Sequence, residues 1–534
     1  MTNPRIFNII ITAMKKLLKS IFYFVFVMLF IISYSFIDIA KTTKVTFVVS
    51  GILQGNIVSY KASGEPYRGM MVGGMPFLIS KISELRKKAQ KNRSAFYLLD
   101  CGDDFPGTAH SYYSQCRAVV DTMNLMGVSA MLLGNREFDY GFEVLKARAA
   151  EANFPILAAN VRNKKNGEPF GEFRDEAVFD VNNDGFKIAV LGITPPETLT
   201  DSTIKNVSEI AMKGETETIE LFKKKAAESG ADFTVALTQL DYEKDKALLD
   251  LLVKSGINMV VGLDFTNQMT GVRKAGETTL VALNGFAKGA QLTKIEILFD
   301  SETYKPFDFC AEVVPVVVNQ VEPDGDCARV IADYLRKLDA IMNQVIGEAE
   351  VDLKRPFNEE TNFGNLIADY MLRAASAEIA LQNAGSFRAD IDAGDVTVGD
   401  FYNALPFDND IVLIEVPGHV LHDVIDTTCR RERGLLQIAG GAYSYDPNLA
   451  QSPDKTSSVI TNFTIASREI ELNRNYRVAT NSFLSSGQGG YPQLKNCAII
   501  ECFDNLRETS MRFIREDKIL RPVIEGRIIR TGVK

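Results

Sequence analysis

One stretch of the sequence joins an apolar strand to a polar loop and indicates the fold class: Ala130-Met131-Leu132-Leu133-Gly134-Asn135-Arg136-Glu137-Phe138-Asp139-Tyr140. Its first four residues form a short apolar run of the kind that builds a buried strand. Gly134 then opens a loop that is dense in polar groups. Such a loop is typical of α/β sheets, whose functional groups lie beyond the carboxyl ends of the strands.

The same pattern recurs along the chain. Apolar strand runs alternate with amphipathic segments such as Pro76–Gln90, whose apolar residues share one helical face. The other strand runs are Val45–Ser50, Phe96–Asp100, Pro155–Ala159, Lys187–Thr194, Phe233–Thr238, Asn258–Gly262, Thr279–Ala282 and Lys294–Phe299. This alternation predicts an α/β architecture. We therefore expect one edge of a sheet to collect the side chains that follow these runs: Asp103, Asn135, Gln239 and Asp264.

The length of the chain, 534 residues, is too great for a single hydrophobic core. The strand rhythm stops near residue 310, and Asp324–Val345 then has the period of one long amphipathic helix. We therefore expect a first domain over 44–310, a linker with the long helix over 311–346, and a second domain over 347–529.

Residues 1–43 are expected to precede the folded domains. Three lysines stand before an unbroken apolar run from Ile21 to Ile32, and small residues follow it. A basic segment, an apolar core and a small-residue end are the parts of a secretory signal. An uncleaved membrane anchor is the alternative, because the apolar stretch through Ile39 could nearly span a bilayer. Both interpretations export the rest of the chain, to the periplasm or to the outer face of a membrane.

Charge and cysteine content exclude some classes of protein. The net charge is -9 and no basic stripe is visible, which argues against a nucleic-acid partner. The 7 cysteines are odd in number and sparse, so a disulfide framework is not expected. Cys497 and Cys502 could form one local bridge, or remain thiols like the others.

Several short phrases follow one another in a recognisable order: Asp100–Asp103, Gly134–Gly141, Thr238–Asp245, Thr361–Ile367, Gln382–Arg388, Leu405–Phe407 and Ser486–Pro492. Together they resemble the exported 5′-nucleotidase family, in which a calcineurin-like metallophosphoesterase domain precedes a 5′-nucleotidase C-terminal domain. The resemblance covers residues 44 to 529. It implies an N-terminal metallophosphoesterase-like α/β-sandwich joined by a long helix to a C-terminal α/β domain.

The resemblance also implies a reaction. Family members bind two divalent metal ions at the strand ends of the first domain, where the ions polarise a phosphate and generate a hydroxide nucleophile. A histidine, oriented by an aspartate, stabilises the transition state. The second domain holds the nucleoside between two aromatic rings, with arginine and asparagine side chains nearby.

Most of the metal positions implied by the resemblance carry other residues. The Asp-x-His phrase after the first strand corresponds to Ile52 and Gln54 here. A later histidine ligand corresponds to Gln239. In the final phrase, Asp264 stands where relatives have a histidine, and Thr266 stands where they have histidine or glutamine.

Three polar residues of the implied site are retained. Asp103 matches the bridging aspartate, Asn135 the asparagine ligand, and Asp139 the partner of the catalytic histidine, while Arg136 replaces that histidine. Arginine brings a fixed positive charge to the place of two cations, which makes a two-metal site unfavourable. We therefore expect no cofactor, or at most one divalent ion on Asp103, Asn135 and Asp264. We also expect an Arg136–Asp139 ion pair in the space of the catalytic dyad.

The 3 histidines do not restore the site. His110 follows Asp103 on the same loop and is interpreted as a solvated loop residue. His419 and His422 are three residues apart and are interpreted as the start of a surface helix rather than a metal pair.

In the second domain, the resemblance assigns substrate binding to four residues: Asn383, Arg388, Phe407 and Phe483. The two phenylalanines match the rings that stack on the base, and an arginine can bind phosphate or carboxylate oxygens with two parallel bonds. Two departures weaken the match: the ribose-binding aspartate of relatives is Gly489 here, and Asn358–Glu360 lacks a further arginine.

Three functional hypotheses follow. The first is a catalytically impaired relative that binds a nucleotide-like or other small anionic ligand between its domains. The second is a working, metal-dependent phosphohydrolase with a remodelled site. The third is a structural protein of the cell envelope, in which both pockets have lost their ligands.

Overall fold

The computed structural model describes residues 42–532, apart from 63–64, 202–203, 242–244, 265–270, 276–278, 286–287, 431–433 and 452–457. The expected signal or anchor segment lies outside the described residues, except that its last two residues, Thr42 and Thr43, begin the first strand. No helix in the described part of the chain is long and apolar enough to cross a bilayer.

The first domain is built from sixteen strands and seven helices within the described ranges. The strands are β1 Thr42–Ser50, β2 Tyr60–Lys61, β3 Met71–Val72, β4 Ser94–Asp100, β5 Ala130–Leu132, β6 Ile156–Leu157, β7 Val161–Asn163, β8 Glu176–Val181, β9 Phe186–Ile193, β10 Ile210–Met212, β11 Phe233–Asp241, β12 Met259–Asp264, β13 Gly271–Ala275, β14 Thr279–Gly285, β15 Gln291–Asp300 and β16 Pro306–Pro315. The helices are α1 Met75–Lys91, α2 Ala109–Tyr113, α3 Arg117–Met126, α4 Phe142–Glu151, α5 Thr198–Asp201, α6 Glu215–Glu228 and α7 Lys246–Lys254.

Two six-stranded sheets make the sandwich of the first domain. Their strand orders are β16-β15-β1-β4-β5-β6 and β13-β14-β12-β11-β9-β8. The buried faces meet in one apolar core that includes Phe47, Val235 and Phe299, while helices cover the outer faces. The strands of the inner core are buried on both faces and therefore read as continuous apolar runs rather than as alternating patterns. The predicted α/β-sandwich is confirmed.

The edge strand β16 extends the first sheet beyond residue 310, where the strand rhythm of the sequence stops. It pairs antiparallel with β15 through Pro315. Its exposed face breaks the apolar pattern, which explains why the sequence does not reveal it. The long helix that follows, α8, spans Gly325–Met342, and the Asp324 carboxylate caps it by accepting the N–H of Cys327 at 2.9 Å.

The second domain is also α/β. Its helices are α9 Asn362–Ala375, α10 Val398–Ala404, α11 Gly418–Arg430, α12 Ser482–Ser485 and α13 Leu506–Asp517. Its strands are β17 Val345–Ala349, β18 Ile379–Asn383, β19 Gly394–Thr397, β20 Asp410–Pro417, β21 Leu436–Ala439, β22 Gly441–Tyr445, β23 Ile460–Ile465, β24 Arg468–Glu469, β25 Asn475–Asn481, β26 Ala498–Asn505, β27 Ile519–Leu520 and β28 Ile528–Arg530.

The central sheet of the second domain has the order β21-β18-β25-β20-β26. One of its faces packs on α9, α10 and α13, and the other on α11 and a four-stranded sheet of order β24-β23-β22-β28. All seven cysteines are free thiols, so the Cys497–Cys502 bridge is not formed. His419 and His422 lie in the first turns of α11, as interpreted from their spacing.

Candidate functional site

Glu137 is the buried group that holds the loops at the strand ends. Its Oε1 accepts the backbone N–H groups of Asp104 at 2.8 Å and Phe105 at 3.2 Å. Its Oε2 accepts those of Asp103 at 3.0 Å and Gly134 at 2.9 Å. Burial raises the pKa of Glu137, and the backbone hydrogen bonds act in the opposite direction. One side chain thus ties the loop after β4 to the loop after β5.

Two further buried carboxylates hold the neighbouring backbone. Asp100 accepts the N–H of Gly102 at 2.9 Å and the hydroxyl of Ser50 at 2.6 Å. Asp104 accepts the N–H of Leu53 at 2.8 Å. These bonds fasten the loop after β1 to the loop after β4. The buried carboxylates therefore fix the shape of the loops.

Asp103 is surrounded by hydrogen-bond donors. Its Oδ1 accepts the backbone N–H of Arg136 at 3.2 Å, and the side-chain amide of Gln239 donates to the same carboxylate. The Gln239 amide also donates to the carbonyl of Cys101 at 3.0 Å. All three side chains crowd Gly134: a Cβ there would lie 2.7 Å from Nε2 of Gln239 and 2.7 Å from Oε2 of Glu137, and would overlap Asp103. The structure therefore brings together Asp103 and Gln239, two of the four residues expected to converge at this edge.

Arg136 and Asp139 form the ion pair that the sequence predicts. Nε and Nη2 of Arg136 donate to Oδ2 of Asp139 at 3.2 and 3.1 Å. Both residues belong to the short turn after β5, where a three-residue spacing brings their side chains together. Burial raises the pKa of Asp139 to about 7, and the charge of Arg136 acts against that rise. Within the described part of the chain, Nη1 of Arg136 donates no hydrogen bond to another residue.

Ile52 and Gln54 occupy the first two substituted positions. Ile52 is 1% exposed and packs in the core between the two sheets. Its φ is 58°, a left-handed conformation that a β-branched residue adopts only when the surroundings impose it. Here the N–H of Ile52 donates to the carbonyl of Gly102 at 2.7 Å, and the N–H of Gln54 donates to the carbonyl of Asp103 at 3.1 Å. The loop therefore keeps a strained backbone while the Ile52 side chain has become part of the core.

Some predicted positions are described only in part. Asp264 ends β12, next to Gly285 of β14, but its side chain lies outside the described residues, as does Thr266. His110 lies in α2, where its buried Nδ1 has no hydrogen-bond partner within the described ranges. Burial lowers the pKa of His110, and this side chain does not line the cavity between the domains.

That cavity has a volume of about 1440 Å³. The first domain contributes Asn135, Arg136 and Asp139 to its wall. The second domain contributes a ring, a cation and several polar groups: Phe483, Lys495, Asp408, Asn409, Asp410 and Ser482. Cavities of this size with a few convergent polar groups are typical of ligand sites.

The four substrate-binding residues predicted in the second domain do not all reach this cavity. Phe483 lines the cavity, but Asn383, Arg388 and Phe407 do not. The Oδ1 of Asn383 accepts hydrogen bonds from Asn481 Nδ2 and Ser386 Oγ, each at 2.8 Å. The guanidinium of Arg388 lies 5.1 Å from the centre of the Phe407 ring, and Phe407 is 43% exposed. Arg388 thus covers one face of that ring.

Sequence reasoning missed two structural features of this region. Glu137 is visible in the Gly134–Gly141 stretch, but its four backbone partners come from two separate loops. Asp408 and Arg507 form a buried ion pair at 2.5 Å across almost one hundred residues. The Asp100-Cys101-Gly102-Asp103 phrase indicates the polar loop after β4. Local sequence does not show that Glu137 binds this loop or that Asp408 pairs with Arg507.

Known proteins show the same architecture. The family model for the 5′-nucleotidase C-terminal domain matches residues 345–496. A 5′-nucleotidase precursor from Thermus thermophilus is 26% identical, with a TM-score of 0.59 over 92% of this chain and 100% of that one. The chain belongs to the 5′-nucleotidase family.

Two other relatives show how much of the chain is similar to known proteins, one in sequence and one in structure. The trifunctional nucleotide phosphoesterase protein YfkN of Bacillus subtilis is 29% identical over 467 residues, which are 77% of this chain but 31% of that protein. The chain thus spans about a third of that relative. A putative 5′-nucleotidase from Staphylococcus aureus, solved with alpha-ketoglutarate, has a TM-score of 0.69 at 18% identity and 91% and 100% coverage, and shows the fold alone.

The described residues of this 5′-nucleotidase-family member do not fit a pair of divalent ions. The Asp103 carboxylate accepts two N–H groups, which take up about half of its lone-pair sites. Ile52 is apolar, and the guanidinium of Arg136 carries a permanent charge at this edge. A second cation lies nearby: burial lowers the pKa of Lys288, and the charge of Arg136 lowers it further.

Proposed function

We propose that this chain is a catalytically impaired member of the 5′-nucleotidase family that binds a nucleotide-like or other small anionic ligand in the cavity between its domains. The observation that carries the proposal is the Arg136–Asp139 pair, which stands at the wall of the cavity in the place of the catalytic dyad. Arg136 retains donors for an anion, because its bond to Asp139 uses Nε and Nη2 alone.

The opposite wall supports the same proposal. Phe483 offers a flat apolar surface for a ring, and Lys495 adds a cation. The complex of the Staphylococcus aureus relative with alpha-ketoglutarate is consistent with an anionic ligand in this fold. In this proposal, phosphate or carboxylate oxygens contact Arg136 and the rest of the ligand reaches Phe483. Binding then needs no metal, since the guanidinium supplies the positive charge.

Calorimetry with AMP, adenosine and inorganic phosphate, in the presence and absence of EDTA, tests the proposal. We expect AMP to bind equally well with the chelator, and Arg136→Ala to weaken AMP binding at least tenfold. Turnover of AMP should be undetectable, and elemental analysis should find no stoichiometric metal. An absence of binding across nucleotides and small anions would refute the proposal.

A matched pair of aromatic variants locates the ligand. Phe483 lines the cavity, whereas Phe407 is exposed outside it and contacts Arg388. Phe483→Ala should weaken AMP binding about tenfold by removing a stacking surface, and Phe407→Ala should leave it within twofold. Equal losses in both variants would mean that both rings clasp the ligand, as the family resemblance implies, and would contradict the described arrangement of the site.

A metal-dependent phosphohydrolase is the second function that we propose for testing. It is favoured by the similarity to named nucleotide phosphoesterases and by the presence of Asp103, Asn135 and Asp139. It predicts hydrolysis of nucleoside monophosphates that Mn²⁺ stimulates and EDTA abolishes, and that Asp103→Asn reduces at least a hundredfold. Purified protein that is inactive at every metal tested excludes it.

We also propose that the chain works outside the cytoplasm, in the periplasm or anchored on the outer side of a membrane. The basic and apolar segment before Thr42 supports this, and the Thermus thermophilus relative is named as a precursor. N-terminal sequencing of the mature protein separates the alternatives: a new terminus near residue 36 indicates a cleaved signal, and an intact terminus in the membrane fraction indicates an anchor.

A further inference from the structure

Arg507 is a fully buried cation at the boundary between the two domains. It lies in the first turn of α13, and its side chain is 0% exposed. The sequence does not reveal the burial of Arg507, because this residue lies among other charged residues. A buried arginine is costly unless its donors and charge are satisfied, so its partners indicate what it holds.

In the second domain, Arg507 fastens one turn, residues 405–408. Nη1 donates to the carbonyls of Leu405 at 3.1 Å and Phe407 at 3.4 Å, and Nη2 pairs with Oδ1 of Asp408 at 2.5 Å. Asp408 lines the cavity. One guanidinium therefore holds three groups of the turn that contributes to this part of the cavity wall.

Arg507 also reaches the first domain. Its guanidinium lies 3.9 Å from the ring centre of Tyr402 in its own domain and 5.2 Å from that of Tyr112 in the first domain. Such cation–π contacts gain strength when they are desolvated. Tyr113, the neighbour of Tyr112, packs against the core of the second domain.

The Tyr112 contact connects Arg507 to the Arg136–Asp139 pair. The ring of Tyr112 meets that of Tyr140 edge to face at 5.5 Å, and Tyr140 directly follows Asp139. Helix α2, which carries Tyr112, begins a few residues after the loop that Glu137 holds. A continuous set of packed groups therefore runs from one wall of the cavity to the other.

We propose that Arg507 is a positioning residue that holds turn 405–408 against Tyr112, and so keeps the second-domain wall of the cavity at a fixed distance from Arg136. The cavity is then formed before any ligand arrives. A lysine at this position cannot reproduce the contacts, because it lacks the planar guanidinium that binds two carbonyls and a carboxylate while stacking between two rings. The consequence for ligand affinity rests on the proposed function, whereas the consequence for domain geometry does not.

The test measures the distance between the domains in full-length protein. Spin labels are placed at the exposed Cys310 and at Asp423→Cys on α11, with Cys497 and Cys502 replaced by serine. We expect one narrow distance distribution in the parent protein and a broader or shifted one in Arg507→Lys. An unchanged distribution in Arg507→Lys would overturn the proposal.

Arg527→Lys is the matched control. Arg527 is also a largely buried arginine of the second domain, and its guanidinium binds Asp369 with two bonds at 2.8 and 2.9 Å. Within the described residues, its hydrogen-bond and ion-pair partners all lie in the second domain. Arg527→Lys should lower the thermal midpoint as Arg507→Lys does, but leave the interdomain distance unchanged. If the interdomain distance shifted in both variants, the shift would follow from general destabilisation, and the proposal would be refuted.

Tyr112→Ala gives a second route to the same readout, for the case in which Arg507→Lys fails to fold. It removes the first-domain ring, which also lines the cavity, and the hydrogen bond of its hydroxyl with Glu508, but leaves every hydrogen bond of Arg507 in place. The distance distribution should broaden, and AMP affinity should fall at least fivefold in calorimetry. If the parent protein binds no AMP, the proposed function fails, but the distance measurement still decides the role of Arg507.

Discussion

The two walls of the cavity differ in what their residues do. In the first domain, Asp100, Asp104 and Glu137 are buried and bind backbone N–H groups. By the family resemblance, three of the positions that would bind metals carry Ile52, Gln54 and Gln239. In the second domain, the residues expected to bind substrate are present, but Asn383 is bonded inside the domain and Arg388 covers Phe407.

The comparison separates the residues that hold the loops of a site in place from the residues that contact a ligand. Groups that satisfy buried backbone donors cannot change without a large loss of stability, because an unpaired buried N–H costs about 1–3 kcal/mol. Groups that face a ligand carry no such penalty. The first domain therefore keeps the buried carboxylates that hold its loops, whereas Ile52, Gln54 and Gln239 stand at the strand ends. In the second domain the retained side chains have found partners within the protein.

The largest expected effect concerns the support of the first domain. Glu137→Ala removes the acceptor of four backbone N–H groups and should destabilise the protein by roughly 4 kcal/mol. Urea denaturation of the purified variant measures the change. Glu143→Ala is the control, because the Glu143 side chain is 79% exposed and its ion pair with Lys146 contributes about 0.5 kcal/mol. Equal losses of stability in Glu137→Ala and Glu143→Ala would contradict the structural role given to Glu137.

A smaller effect is expected for the retained residues of the second domain. Asn383→Ala loses the bonds from Asn481 and Ser386 and should cost about 1–2 kcal/mol. Arg388→Ala loses one exposed contact with Phe407 and should cost about 0.5 kcal/mol. Thermal unfolding of both variants checks the order. A larger cost for Arg388 than for Asn383 would contradict the internal role given to Asn383.

A comparably small effect concerns pH. Because the pKa of Asp139 is raised from its ordinary value to about 7, its contribution to stability is complete below about pH 4 and is lost as pH rises towards 7. In Asp139→Asn this dependence should disappear. A quarter of the Asp139 side chain is exposed, so we expect only about 1 kcal/mol between pH 4 and pH 8. Denaturation at both values in the two proteins measures it; parallel profiles would show that Asp139 does not titrate in this range.

Sequence patterns were sufficient for the architecture and for part of the site. Apolar runs such as Phe96–Asp100 and Phe233–Thr238 correspond to β4 and β11, because a strand buried on both faces needs a continuous apolar run. The family resemblance was enough to predict the Arg136–Asp139 ion pair, since Arg136 stands in the place of the histidine that Asp139 would orient. The edge strand β16 escaped because its outer face is exposed to solvent.

The remaining features depend on contacts between distant parts of the chain, which local patterns do not encode. Glu137 was visible as a residue, but its function follows from which backbone N–H groups two separate loops leave unpaired. Arg507 looks like a surface charge until turn 405–408 and Tyr112 enclose it. The amino-acid sequence decided which strands and polar loops form and which ligand residues are missing. Tertiary structure decided which of the retained polar side chains bond to other groups of the protein and which line the cavity. Burial and pairing are properties of the folded chain and cannot be seen in local sequence.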